Sequence, residues 1–154
     1  MEISNIEERD IQEVLGLIKK EFPYLQISAE KIKERIESKK VFVLKATEKK
    51  KLLGFIEAEI LEDEIARING LTVKPEYREK GVAAAMLERM TSFLKEKGIK
   101  RVMLLVKQTN EEAKRLYEQK GFRFIGLYQR EIDQSVVEEM ELDLEEGETP
   151  SYVS

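Results

Sequence analysis

Two short groups of residues carry the chemistry open to this chain. The first is Arg78-Glu79-Lys80-Gly81-Val82-Ala83-Ala84, which leads from a loop closed by Pro75 into a stretch where Val82, Met86, Leu87, Met90 and Leu94 recur at helical spacing. A helix starting at such a loop turns unpaired N–H groups outward and carries partial positive charge, which suits a phosphate group. Gly81 permits a tight backbone there, and Arg78 and Lys80 add two cations. The stretch is neither a Walker loop nor a GxGxxG dinucleotide loop. Its plain alternative is an ordinary strand–loop–helix. The second group is Asn110 and Tyr117, seven residues apart and so two helical turns along one face. Read singly, Asn110 is an N-cap and Tyr117 a half-buried aromatic whose hydroxyl needs a partner.

What the chain lacks narrows the chemistry further. It has no cysteine and no histidine. Disulfides, thiolate or imidazole metal sites and Ser-His-Asp or Cys-His nucleophiles are therefore excluded, and no metal is expected. The net charge of −4 and the lack of a basic stripe with interleaved aromatics argue against nucleic acid as a partner. No apolar run approaches a membrane span and no secretory leader is visible, so a soluble cytoplasmic protein is the expectation. The charged fraction is 38%, against a usual ~25%. Lys and Glu dominate it, which points to a heat-adapted source. A melting temperature above about 60 °C is the matching expectation.

The elements that must position these residues follow from periodicity and punctuation. Met1–Glu7 reads as an edge strand. Asp10, with Glu13 three residues on, reads as a capping-box start for a helix carrying Ile11, Val14, Leu15, Ile18 and Phe22 and stopped by Pro23. Ser28 caps a second helix with Ala29, Ile32 and Ile36 on its inner face. Strands at Val41–Thr47, Leu52–Leu61 and Ile65–Val73 form an antiparallel meander. Gly98 ends the long helix. Arg101–Lys107 is a continuous apolar run, as for a strand covered on both faces. A helix from Asn110 to Gly121 follows, then strands at Phe122–Tyr128 and Val136–Leu144 around a hairpin. The expected fold is α/β (α+β): a mixed, mostly antiparallel sheet of about seven strands with a central parallel crossover and four helices. One domain should span residues 1–144, with an acidic tail at 145–154.

Together the two groups resemble the GNAT superfamily of N-acetyltransferases. Leu71-x-Val73-x-Pro75-x-Tyr77-Arg78-x-x-Gly81-x-Ala83 is similar to that family's acetyl-CoA motif. Asn110-x-x-Ala113-x-x-x-Tyr117-x-x-x-Gly121-Phe122 is similar to its following helix, most of all in the ribosomal-protein and N-terminal acetyltransferases. The resemblance implies that backbone groups of Leu71, Thr72 and Val73 pair with the pantetheine arm of acetyl-CoA as an added strand would. The N–H groups of Glu79, Lys80, Gly81, Val82, Ala83 and Ala84 would hold the pyrophosphate with Arg78 alongside, and Asn110 would bond the arm near the thioester. Tyr117 would protonate the departing thiolate, a role suited to a phenol that stays protonated at neutral pH.

Without cysteine, a covalent acetyl-enzyme on that residue is excluded, and an amine must attack the thioester directly. Something must first remove a proton from that amine. The two positions at which family members carry a glutamate are Arg67 and Leu105 here. Glu57 and Glu59 remain as candidates, on one face of their strand because side chains alternate, as does a water chain to a distant carboxylate. The plain reading of the two glutamates is a solvated edge, and that of Asn69, whose amide suits holding a water, is a structural role. Phe22, Tyr24, Leu25 and Tyr128 are candidate walls of the acceptor groove, and the acidic strand Glu138, Glu139, Glu141, Asp143 is a candidate attractor for a cationic amine. The acceptor expected is a primary amine: a peptide N-terminus, a lysine or a small amine. A homodimer through the last strands is compatible with the resemblance. A non-catalytic acyl-CoA sensor and a protein-interaction module of the same fold are the alternatives.

Overall fold

The computed structural model describes residues 1–145, so all but the first residue of the expected tail lies outside the described residues. The elements run β1 (Glu2–Asn5), a 3-10 turn (Glu8–Asp10), α1 (Ile11–Glu21), α2 (Ala29–Glu37), β2 (Val41–Glu48), β3 (Lys51–Glu62) and β4 (Ile65–Val73). A second 3-10 turn (Pro75–Tyr77) follows, then α3 (Val82–Glu96), β5 (Arg101–Lys107), α4 (Glu111–Gln119), β6 (Arg123–Leu127) and β7 (Val137–Asp143). The strands form one sheet in the order β1-β2-β3-β4-β5-β7-β6. Within it β4 and β5 pair in parallel across the α3 crossover, and the other neighbours are antiparallel. No helix among the described residues is long and apolar enough to cross a membrane.

Alternation along the strands sends side chains to two separate layers. On one face, Met86, Leu87, Met90 and Leu94 of α3 are fully buried against Ile56, Ala58, Ala66, Val102, Leu104 and Met140, and Tyr117 and Phe122 belong to the same cluster. On the other, Ile11, Val14, Leu17, Ile18 and Ile32 of α1 and α2 cover Val41, Val43, Leu52 and Phe55 of β2 and β3.

Three expectations need correction. Asp10 stands at the N-cap position of α1 but does not cap it with its side chain. The preceding 3-10 turn draws its carboxylate back to the N–H of Glu7, at 2.8 Å, and to Lys45. The reciprocal box is therefore Glu7 with Asp10. Second, β5 is covered on one face only. Val102, Leu104 and Val106 are buried, whereas Met103, Leu105 and Lys107 are half-buried, because α1 and α2 lie over β2 and β3 and leave this half of the sheet open. Third, Glu57 and Glu59 are not a solvated edge, since β3 lies inside the sheet.

The sheet also divides. β4 and β5 pair from Ile65↔Arg101 to Ile68↔Leu104 and no further. β4 remains on β3 as far as Val73, and β5 remains on β7 as far as Lys107. The register explains the parting. Glu57 pairs with Gly70 and Ala58 with Ile68, so Asn69 is an extra residue, a bulge that bends β4 away from its neighbour.

Candidate active site

The cleft between β4 and β5 runs on toward the start of α3. Glu79 (φ 63°) and Gly81 (φ 82°) both take left-handed conformations in the connecting loop. Gly81 is the N-cap, without a side chain to cap the helix, and no acidic residue sits in the first turn. The first return bond of α3 is Ala85 N–H to the Gly81 carbonyl at 3.0 Å, so the N–H groups of Val82, Ala83 and Ala84 precede any helical partner. Arg78 braces this loop. Its Nε donates to the Val73 carbonyl at 2.9 Å, and a terminal nitrogen meets Glu21 at 3.0 Å. The guanidinium thus ties the end of β4 to the end of α1.

Beyond Ile68, the backbone edge of Asn69–Val73 that faces away from β3 has no strand neighbour. Gly54, opposite Val73, is needed for β3 to come so close: a Cβ there would lie 2.2 Å from the Thr72 carbonyl oxygen. Sequence reading missed this glycine. Its signal is its place within an otherwise apolar strand, which often marks close backbone approach.

The second motif proves to be largely helix punctuation. Asn110 Oδ1 accepts the Ala113 N–H at 3.1 Å and caps α4, which leaves its Nδ2 free to donate elsewhere. At the far end Gly121 (φ 95°) is a left-handed C′ residue. The Gly121 N–H donates to the Glu118 carbonyl, and the Phe122 N–H to that of Tyr117. Both bonds of a Schellman motif are present. Tyr117 and Phe122 stack at a tilt, with centroids 5.6 Å apart. Tyr117 is 8% exposed, and its burial pushes the phenol up to about 12. Its hydroxyl has no hydrogen-bond partner among the described residues, yet no fully buried side-chain oxygen there lacks one. The hydroxyl therefore retains contact with solvent.

On the opposite face a polar cluster sits where the strands part. Arg35 of α2 clasps Glu57 through Nε at 2.8 Å and a terminal nitrogen at 2.6 Å. Asn69 donates from Nδ2 to Glu57 at 2.8 Å and to Glu59 at 3.1 Å, and its Oδ1 accepts from Arg67 Nε at 2.8 Å. Asn69 thus binds side chains, the structural role that is its plain reading. Nothing in the sequence singles out Arg35, because helical spacing says nothing about which charge meets it across the sheet.

Of the expected acceptor walls, Phe22 and Tyr24 meet edge to face at 6.3 Å, and Leu25 is exposed. Lys107 Nζ stands 5.3 Å from the Tyr24 ring centroid and 2.8 Å from Asp133 in the β6–β7 loop. This unanticipated lysine joins the two loops that flank the open half of the sheet. Tyr128 accepts from Arg130 at 3.2 Å. In the acidic strand, Glu138, buried, pairs with Lys114 at 3.1 Å, and Glu141 with Arg101 at 3.1 Å.

Residues 5–144 match the family model described as the acetyltransferase (GNAT) domain. The chain belongs to the GNAT acetyltransferase family. A curated relative, the ribosomal protein bS18-alanine N-acetyltransferase of Haemophilus ducreyi, is 33% identical over 84 residues, 54% of this chain and 57% of that protein. The Escherichia coli protein of the same name is 32% identical over 76 residues, 49% of this chain and 51% of its own length. The matches thus span about half the length of these curated relatives. Among solved structures, the Escherichia coli ribosomal-protein-S18-alanine N-acetyltransferase superposes with a TM-score of 0.79 at 20% identity, over 99% of this chain and 98% of that one. The PaiA N-acetyltransferase of Thermoplasma acidophilum, solved with coenzyme A, gives 0.77 at 22%, over 92% and 98%. At these identities the likeness establishes the shared fold, including the mixed sheet expected from sequence.

Proposed function

We propose that this chain transfers the acetyl group of acetyl-CoA to a primary amine. The observation that carries this reading is the continuous path from the β4–β5 cleft to the uncapped, acid-free start of α3. Acetyl-CoA fits that path by the chemistry of its parts: an amide-bearing arm for a strand edge, and a diphosphate for bare N–H groups. Bound there, acetyl-CoA supplies a thioester whose acyl carbon takes a new C–N bond as its C–S bond breaks.

The chain's residues then have distinct tasks. Leu71 offers its backbone groups and Val73 its N–H to the arm, whereas the Thr72 carbonyl is turned toward Gly54 of β3. The Val73 carbonyl already accepts from Arg78, so that arginine shapes the edge as well as lending charge. The N–H groups of Glu79, Lys80, Gly81, Val82, Ala83 and Ala84 bind the diphosphate, with the Lys80 ammonium nearby. Asn110 Nδ2 bonds the arm, since Oδ1 is engaged in the cap. Tyr117 gives its proton to the departing sulfur. A phenol held at about 12 stays protonated at neutral pH, so the proton to be given is in place.

The relatives' names specify an alanine of ribosomal protein S18, and other neighbours are a spermidine and an aminoglycoside acetyltransferase. Their common feature is an amine acceptor. Phe22, Tyr24 and Tyr128 are the proposed acceptor contacts, over the half-open floor of Met103 and Leu105. Thiol release from acetyl-CoA, measured against a panel of alanine-initiated peptides, lysine peptides and polyamines, tests the reading. Release with at least one amine supports it. Acetyl-CoA binding without release across the panel would replace it with an acyl-CoA sensor.

A further inference from the structure

We infer that Glu59 is the carboxylate that receives the acceptor's ammonium group and takes its proton, an assignment that rests on the acetyl-transfer reading above. Glu57 and Glu59 share one face of β3, and their surroundings give them opposite roles. Both oxygens of Glu57 are gripped by the Arg35 guanidinium, and Asn69 adds a third donor. Its side chain is 15% exposed. Glu59 accepts through Oε1 alone, from Asn69 at 3.1 Å, with Arg67 farther off at 3.5 Å. Its Oε2 has no partner among the described residues, and the side chain is 32% exposed.

Position completes the assignment. Asn69 is both the bulged residue and the first beyond the last β4–β5 pair. Glu59, held by the Asn69 amide, is thus one hydrogen bond from where the sheet opens. Tyr117 packs in the α3-side cluster, while Glu59, four residues on from Phe55 and so on the same face of β3, lies on the α1–α2 side. The tyrosine, nine-tenths buried with an unpartnered hydroxyl, and the carboxylate therefore lie on opposite faces of a sheet that parts between them. A thioester in the cleft would have its sulfur on one side and its approaching amine on the other. Charged groups around Glu59 are Glu57 on its own strand, Arg67 on β4 and Arg35 on α2.

The step is a proton transfer. One N–H bond of the acceptor's ammonium breaks as an O–H bond forms at Glu59 Oε2, leaving a neutral amine with a free lone pair. The second proton that nitrogen loses on becoming an amide balances the one Tyr117 gives to the sulfur. Glu59 afterwards releases its proton to water. Asn69, which fixes Oε1 and so leaves Oε2 open, is a positioning residue.

The test uses the full chain and Glu59→Gln. The probe is whichever of an alanine-initiated peptide, spermidine and ethanolamine gives the fastest thiol release with the unsubstituted chain. Its affinity is measured calorimetrically on protein saturated with coenzyme A, beside that of its N-acetyl form. The unsubstituted chain should prefer the free amine by about tenfold or more, the worth of a hydrogen bond between charged groups. Glu59→Gln should lose that preference and about a hundredfold in kcat/KM, with coenzyme A affinity and melting temperature unchanged. Retention of the preference and of kcat/KM to within about threefold overturns the inference, as does a loss traced only to coenzyme A affinity or to unfolding. No thiol release by the unsubstituted chain with any of the amines overturns the acetyl-transfer reading instead.

Discussion

Tyr117 and Phe122 are bound to each other twice across the end of α4: the Phe122 N–H donates to the Tyr117 carbonyl at 2.9 Å, and their rings stack 5.6 Å apart. Both contacts depend on the reversal at Gly121, whose φ of 95° an L side chain adopts only with strain. A Cβ there would also come within 3.1 Å of Leu142 Cδ1. Gly121→Ala should therefore cost about 1–2 kcal/mol of stability, readable as a lower denaturant midpoint at unchanged slope. Turnover should fall beyond what unfolding explains, because the turn sets where the phenol points.

Removing the phenol alone separates chemistry from packing. Tyr117→Phe retains the ring and deletes a hydroxyl that has no partner among the described residues, so stability near neutral pH should be unchanged while turnover falls by about a hundredfold or more. Alkaline stability should move the other way. Burial raises the phenol from 10.0 to about 12 in the folded chain. Its contribution is complete below pH 10 and is lost as pH rises through about 12. Over that window the unsubstituted chain should lose about 2–3 kcal/mol that the phenylalanine variant does not. Denaturant titrations of both proteins at successive alkaline pH values check the difference.

Asp10 makes the corresponding prediction in acid. Burial pulls its carboxyl upward, but the hydrogen bond from Lys45, the Glu7 N–H and the charges of Lys45 and Arg9 outweigh that and hold it below 3.8. Lys45 is 5% exposed, and its ammonium lies 2.7 Å from Asp10 and 3.9 Å from Glu7. Asp10→Asn leaves a buried cation poorly paired and should destabilise by about 3 kcal/mol at neutral pH. A lowered carboxyl stabilises above its unfolded value and loses that contribution as pH falls through the folded one. The gap between the two proteins should accordingly close below about pH 3.8, as followed by acid denaturation.

Local punctuation explains why so much of this architecture could be read from sequence. Gly98 and Gly121 close their helices as their spacing predicts, Ser28 caps α2 through the Lys31 N–H, and the apolar period of α3 places Met86, Leu87, Met90 and Leu94 in the core. Asp10 failed the same logic because a competing partner, Lys45, lies 35 residues away. Glu57 and Asn69 are likewise brought together by the sheet register, and Arg35 reaches them from α2 packed on that face. The half-open face of β5 was illegible for a related reason. Met103 and Leu105 are apolar whether or not a helix covers them, and only the placement of α1 and α2 leaves them uncovered.

Gly54 offers a test of the cleft itself that leaves every proposed polar contact in place. A methyl at this position would lie 2.2 Å from the Thr72 oxygen and 2.9 Å from Val73 Cα. Backbone atoms cannot yield as a flexible side chain would, so Gly54→Ala must push β4 away from β3, toward the cleft. The segment displaced is Thr72–Val73, whose free edge is proposed to hold the arm of acetyl-CoA. Affinity for acetyl-CoA should fall by about tenfold or more, with a stability loss of about 1–3 kcal/mol typical of overpacking. Gly126, where an added methyl would meet nothing within 4 Å, is the control: Gly126→Ala should leave acetyl-CoA affinity as it was. Calorimetric titration of both variants decides the point, and equal affinities would mean that the Thr72–Val73 edge does not touch the ligand.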